Sequence, residues 1–322
     1  MRRERTYMKR SYTVKRENVR GKSAIIIGNL ADMSLVDTLE CGQAFRYEKI
    51  CRDGDYVEYI TVAFGRLITV GQEKAGELIF YGESEESVGE LVEYFALDLD
   101  YEWIKNFIKS KTDSEWMMRA AECSRGIHIL RQDPWEALFS FIISQNNNIP
   151  RIRKIIKKIA TEYGENLAIK QGLAHCPTKL CESPDESVCK GCGICYSFPT
   201  AAAVTDNPEK LLSSNPGFRY KYLVDAARRV NCGESDLEKI RNAEGFDEIM
   251  QELKKILGVG DKVASCVALF GMSRLEAFPI DVWMKRAIDE YFNGSLDYTA
   301  FGDYAGVAQQ YIFHYIRNLE GK

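Results

Sequence analysis

The hydrophobic pattern of this chain changes period once, near residue 100, and that switch limits the folds open to it. Before it, short β-rich runs follow one another: Ser23-Ala-Ile-Ile-Ile-Gly, Ala44-Phe-Arg-Tyr, Tyr56-Val-Glu-Tyr-Ile-Thr-Val, Arg66-Leu-Ile-Thr-Val and Glu77-Leu-Ile-Phe-Tyr. Glycine-containing turns separate them, which predicts an antiparallel sheet. The stretch 85–97 reads as a helix covering that sheet. Beyond it the pattern is helical. Asp133-Pro134 is a helix-start signal. In the helix that follows Pro150, Ile152, Ile155, Ile156 and Ile159 form an apolar stripe opposite a basic face. Further helices are predicted near 200–212, 219–231, 246–257, 261–272, 282–293 and 301–319. The fold class is therefore α+β. An antiparallel β domain with covering helices is expected over 23–110 and an all-α domain over 111–322, with a Cys-rich insertion at 171–197.

Charge adds a third region. Residues 1–22 hold nine Lys/Arg against Glu4 and Glu17, so this segment is +7; with −4 for the whole chain, the rest carries −11. A basic N-terminal arm of this kind suits phosphates, and it equally suits a solvated tail. No apolar run approaches the length of a membrane-spanning helix, and the first residues lack an apolar signal core. The expectation is a cytoplasmic monomer, nucleoid-associated if the source is prokaryotic.

The stretch most informative about chemistry is Leu253-Lys-Lys-Ile-Leu-Gly258-Val-Gly260-Asp-Lys262-Val-Ala-Ser-Cys266. A helix ends, Gly-Val-Gly turns tightly and a second helix begins. Gly258 and Gly260 allow close backbone approach, and the free N–H groups of the new helix suit a phosphate. Asp261 reads as the N-cap, leaving Lys262 in the first turn. The positive end of the helix dipole disfavours a cation there, which suits an amine nucleophile. Taken alone, such a lysine reads first as a surface residue. Asp281, in Phe278-Pro-Ile-Asp281-Val-Trp, reads as an N-cap and also as a carboxylate able to support positive charge on a sugar.

Gly-Val-Gly-Asp-Lys followed by Pro-Ile-Asp, with nineteen residues from Lys to Asp, resembles the helix-hairpin-helix Gly-Pro-Asp superfamily of DNA glycosylases. More narrowly, the chain resembles the 8-oxoguanine DNA glycosylase/AP lyase family. Cys41-Gly42-Gln43-Ala44-Phe45-Arg46, Gln145-Asn146-Asn147-Asn148-Ile149-Pro150-Arg151, Asn215-Pro-Gly-Phe218-Arg219 and Tyr304-Ala-Gly-Val-Ala-Gln309-Gln-Tyr-Ile-Phe313 are each similar to a family segment. The resemblance implies a TBP-like β domain followed by a helix-hairpin-helix domain. It implies a bifunctional repair enzyme that removes 8-oxoguanine, and ring-opened purines with it, from double-stranded DNA and cleaves the abasic site by β-elimination. Lys262 would be the nucleophile and Asp281 its acidic partner. The Gly42 carbonyl would accept from N7–H of the oxidised base, Gln309 would read a base edge, and Cys266 and Phe313 would sandwich the ring. Asn146, Arg151 and Arg219 would face the orphaned cytosine, with Phe218 as the wedge. Each of these residues also has a plain structural reading as core, cap or turn. Two departures, Trp283 and Ile316, stand where some relatives carry a His–Asp pair used at a phosphate. The alternatives are a glycosylase for another lesion, such as an alkylated purine, and a non-catalytic DNA-structure-binding protein.

The insertion stands outside this resemblance. His175-Cys176-x4-Cys181-x7-Cys189-x2-Cys192-x2-Cys195 clusters half of the ten cysteines. Such clustering points to metal before disulfides inside a cell. Structural zinc on Cys181, Cys189, Cys192 and Cys195 is the favoured reading, with Cys176 or His175 as substitutes. An iron–sulfur cluster is the second reading, and no cofactor is called for in catalysis.

Overall fold

In the computed structural model of the protein, residues 7–173, 178 and 193–320 are described. The sheet contains β1 (Thr13–Val19), β2 (Lys22–Gly28), β3 (Tyr47–Asp53), β4 (Tyr56–Ala63), β5 (Arg66–Gln72) and β6 (Leu78–Tyr81), antiparallel throughout in the order β1-β2-β6-β5-β4-β3. The β-rich runs read from sequence are all here except Ala44-Phe-Arg, which lies in the loop leading into β3. From residue 7 onward the arm expected over 1–22 is tied into the fold: Tyr7 donates to Ser273 O, and Arg10 N donates to Asp98 O. Thr13–Val19 pairs along its whole length with β2, and its exposed, basic face made it read as a tail. As the outermost strand it has one paired edge, so its side chains can be polar without cost.

Alternation along the strands explains the layers. Ile25, Ile27, Tyr59, Ile68, Val70 and Phe80 face a core closed by α1 (Leu35–Glu40) and α2 (Val88–Phe95). The opposite face is also covered. There Ile60, Val62 and Leu67 pack against Leu167 and Ala168, just before the Cys-rich insertion, and against Ile194 and Cys195 at its end. Every residue of β4 is consequently buried.

The helical part runs through α3 (Tyr101–Ser110), α4 (Glu115–Cys123), α5 (Pro134–Ser144), α6 (Ile149–Tyr163), α7 (Leu167–Lys170), α8 (Ala201–Asp206), α9 (Tyr220–Asn231), α10 (Leu237–Arg241), α11 (Phe246–Lys254), α12 (Asp261–Gly271), α13 (Val282–Tyr291) and α14 (Ala305–Glu320). The Asp133 start signal acts as read, capping α5, and Asn148 caps α6 by accepting from Arg151 N. The large core is centred on α5 and α12. It also takes in Cys41 and Phe45 from the loop before β3, so the two regions share one packed interior. Among the described residues no helix is long and apolar enough to cross a membrane.

Candidate active site

The hairpin between α11 and α12 is built on two glycines with different duties. Gly258 has φ +81°, and a Cβ there would fall 2.4 Å from the Tyr222 ring, so only glycine fits. Gly260 is extended (φ −95°, ψ −175°) with open space about its Cα. Val259 is buried between them, and Asp225 accepts from Leu257 N at 2.9 Å.

The expected N-cap, Asp261, is corrected by the structure. Gly260 holds the extended cap conformation, Asp261 is already the first helical residue, and its carboxylate turns back to Lys254 Nζ at 2.9 Å. No side chain caps α12. Its first N–H groups are therefore left for an outside acceptor.

Lys262 is half-buried in this first turn. Its Nζ donates to Ser144 Oγ at 3.0 Å and lies 5.4 Å from the centroid of the Phe141 ring. The Ser144 hydroxyl donates to the Phe141 carbonyl at 2.7 Å, so its lone pairs face the lysine. Cys266, one turn along α12, is buried. Burial pushes its thiol up, Lys262 opposes the rise by charge and hydrogen bond, and Asp281 adds to it. The three side chains thus share one electrostatic neighbourhood. Asp281 is half-buried at the start of α13, where its Oδ1 accepts from Met284 N at 2.9 Å. It is an N-cap, as its sequence context predicts, and its charge also reaches the Cys266 thiol.

A second wall comes from the β region. Gly42 has φ +92°, and a Cβ there would lie 2.9 Å from Ile149 Cδ1 and 3.6 Å from Phe313 Cε1. The residue after it pins this loop. Gln43, fully buried, donates to Thr38 O at 2.8 Å and His128 O at 2.7 Å and accepts from Leu130 N at 2.8 Å. Phe313 is half-buried on α14, and Gln309 is buried one turn before it, accepting from Gln310 Nε2 at 2.8 Å. The segment 144–151 joins the two walls: Ser144 touches Lys262, and Ile149 touches the Gly42 loop.

The same segment presents polar groups outward. Asn146 is exposed at φ +47°, Arg151 is exposed, and Phe218 is 51% exposed. Phe218 stands edge-on to Tyr222, the ring beneath Gly258, with centroids 6.1 Å apart. Arg219 lies beside Asn146 with its guanidinium buried rather than presented outward. It is 3% exposed, its Nε donates to Gln145 O at 2.8 Å, and its other nitrogens reach Asn146 O and Pro216 O at 2.9 and 3.2 Å. Burial lowers its pKa, and the nearby charge of Arg151 lowers it further. Its guanidinium props the Asn146 turn from behind, because the Gln145 and Asn146 carbonyls there need a donor.

The solved structure of Clostridium acetobutylicum 8-oxoguanine glycosylase/lyase, in complex with double-stranded DNA containing cytosine opposite 8-oxoG, is 33% identical to this chain. It covers 95% of this chain and 98% of its own, with a TM-score of 0.79. The chain belongs to the 8-oxoguanine glycosylase/lyase family. MBOgg1, solved in complex with a low-affinity DNA ligand, is also 33% identical, covering 97% of this chain and 100% of its own at a TM-score of 0.79. The family profile described as "8-oxoguanine DNA glycosylase, N-terminal domain" matches residues 25–138. The Saccharomyces cerevisiae N-glycosylase/DNA lyase is 26% identical over 286 residues, 83% of this chain and 69% of the yeast protein.

As a member of the 8-oxoguanine glycosylase/lyase family, the chain keeps apolar residues at the two departures. Ile316 is fully buried and has no polar group to offer a phosphate, and Trp283 packs against the core, with its indole N–H as its one donor. Sequence reading missed Ser144, Ile149 and Arg317. Ile149 and Arg317 stood within motifs or one helical turn from them, whereas the Ser144 contact spans 118 residues and left no local signal. Of the cysteine calls, Cys181, Cys189 and Cys192, with His175 and Cys176, lie outside the described residues. Cys195 is buried against β4 and β5. Among the described residues no group of three or more His, Cys, Asp or Glu is arranged to hold a metal.

Proposed function

We propose that this protein excises 8-oxoguanine from duplex DNA and then cuts the strand at the resulting abasic site. The observation that carries the reading is the Lys262 amine, held at a helix start by Ser144 and beside Cys266 and Asp281, within this family's fold. The duplex is bent and the base leaves the stack; Asn146, Arg151 and Phe218 fill the gap, with Arg219 supporting them. The hairpin N–H groups hold a backbone phosphate. Lys262 Nζ, as the free amine, bonds to the sugar C1′ while the C1′–N9 bond breaks and the purine leaves with a proton. Asp281 stabilises the positive charge that develops on the sugar. Opening of the sugar gives a protonated imine on Lys262. Loss of a C2′ proton then expels the 3′ phosphate by β-elimination, and hydrolysis frees the lysine.

Specificity in this scheme lies at Gly42. 8-Oxoguanine carries a hydrogen on N7 that guanine lacks, and a buried carbonyl left facing a lone pair is penalised. Gly42→Ala would place a methyl at 2.9 Å from Ile149 in a left-handed backbone. The expected result is roughly tenfold or greater loss of kcat/KM on 8-oxoguanine duplexes, with affinity for undamaged duplex unchanged. Equal loss on both duplexes would remove Gly42 from lesion recognition.

The enzyme is proposed to act as a monomer, with no cofactor in catalysis, in the compartment that holds the DNA. Structural zinc on Cys181, Cys189, Cys192 and Cys195 is a separate proposal, supported by the ligand spacing. Elemental analysis of untagged protein should find about one zinc per chain; protein free of metal with an unchanged melting curve rejects it.

A further inference from the structure

Arg317 is a half-buried arginine with no acceptor of its own. Arg46, Arg131, Arg153 and Arg274 each face a carboxylate, and Arg219 is held by carbonyls. Arg317 makes no hydrogen bond or ion pair among the described residues. It lies one helical turn beyond Phe313, its guanidinium carbon 5.3 Å from the centroid of that ring. One of its terminal nitrogens lies 3.6 Å from where a Cβ on Gly42 would stand, the same distance as Phe313 Cε1. Its charge also reaches the buried thiol of Cys41. Its nitrogens are not among the buried polar atoms without a partner, so the guanidinium stays open to solvent and able to take an acceptor. Its position beside Gly42 and Phe313 says where such an acceptor would enter.

We propose that Arg317 is a specificity-determining residue that donates to a carbonyl oxygen of the extrahelical base, next to the N7–H read by Gly42. The proposal rests on the base pocket assigned above. An oxidised guanine presents C8=O on one side of N7–H and C6=O on the other. A carbonyl acceptor at Gly42 flanked by a guanidinium donor matches that edge. The planar fork of arginine reaches either oxygen, and being permanently charged it does so at any working pH. The edge of guanine fits poorly, since its bare N7 would face the Gly42 carbonyl. The sequence thus places a donor on the lesion rim from the same helix that supplies Gln309 and Phe313.

The test uses the full chain carrying Lys262→Gln, so that binding is read without turnover. Equilibrium affinity is measured for duplexes with 8-oxoguanine, 8-oxoadenine or guanine opposite cytosine, with and without Arg317→Leu. Arg317→Leu is expected to weaken 8-oxoguanine binding about tenfold or more and to leave the guanine duplex unchanged; Arg317→Lys should restore part of the loss. Parallel loss on 8-oxoadenine assigns the contact to O8, and loss confined to 8-oxoguanine assigns it to O6. Equal weakening of all three duplexes would mean a phosphate contact and overturn the proposal, as would no weakening of any. If the parent protein itself shows no preference for 8-oxoguanine over guanine, the pocket assignment fails and this proposal with it.

Discussion

A Lys262→Gln enzyme should leave an 8-oxoguanine duplex uncut and give no covalent adduct on borohydride reduction. Borohydride fixes only an imine between enzyme and sugar, and glutamine cannot form one. Loss of a nucleophile that acts as part of a unit costs on the order of 10³-fold or more. The substitution is mild for the fold. Lys262 is half-buried, and glutamine keeps a polar, slightly shorter side chain there, so the main structural change is loss of the 3.0 Å contact to Ser144 Oγ. Its melting temperature and affinity for the lesion duplex should therefore stay near wild type, which separates chemistry from folding. A variant that traps and cuts as well as wild type would remove Lys262 from the mechanism.

Asp281→Asn is the second large effect, and it divides two roles held by one side chain. The carboxylate caps α13 through Met284 N at 2.9 Å, and asparagine caps about as well. Its charge also acts on the Cys266 thiol, beside Lys262. If Asp281 supports developing positive charge on the sugar, Asp281→Asn should lower single-turnover excision by about 10²–10³-fold. Thermal stability should stay within about 1 kcal/mol of wild type. Asp281→Ala should lose both, the activity and about 1 kcal/mol of cap. The opposite pattern, full activity in the Asn variant with lower stability in the Ala variant, would make Asp281 a cap and nothing more.

Both residues stood out in the sequence because their signals are local, and the family resemblance supplied their proposed roles. A glycine hairpin, a lysine in a first turn and an aspartate before a helix are statements about a few consecutive residues. The same holds for Asn148 as the cap of α6 and for the strands β2, β4, β5 and β6, whose alternation follows from two-residue periodicity. Local reading fails where neighbours compete. Asp261 is a good cap type, but Gly260 takes the extended conformation one residue earlier, and Lys254 draws the carboxylate away. Residues 13–19 look like a tail because an edge strand tolerates polar side chains, and only pairing with β2 makes them a strand.

The sequence by itself determined the order of a β region before helices, the hairpin, and the positions of the lysine and aspartate to which the proposed chemistry is assigned. Only the tertiary structure decided which groups surround them. Ser144 meets Lys262 because α5 packs on α12, Arg219 lies behind the Asn146 turn, and Arg317 comes beside Gly42 because α14 closes over the loop before β3. The reason is physical. Periodicity and capping act over a turn or two of chain, whereas a hydrogen-bond partner or a pocket wall is chosen by packing between elements a hundred or more residues apart.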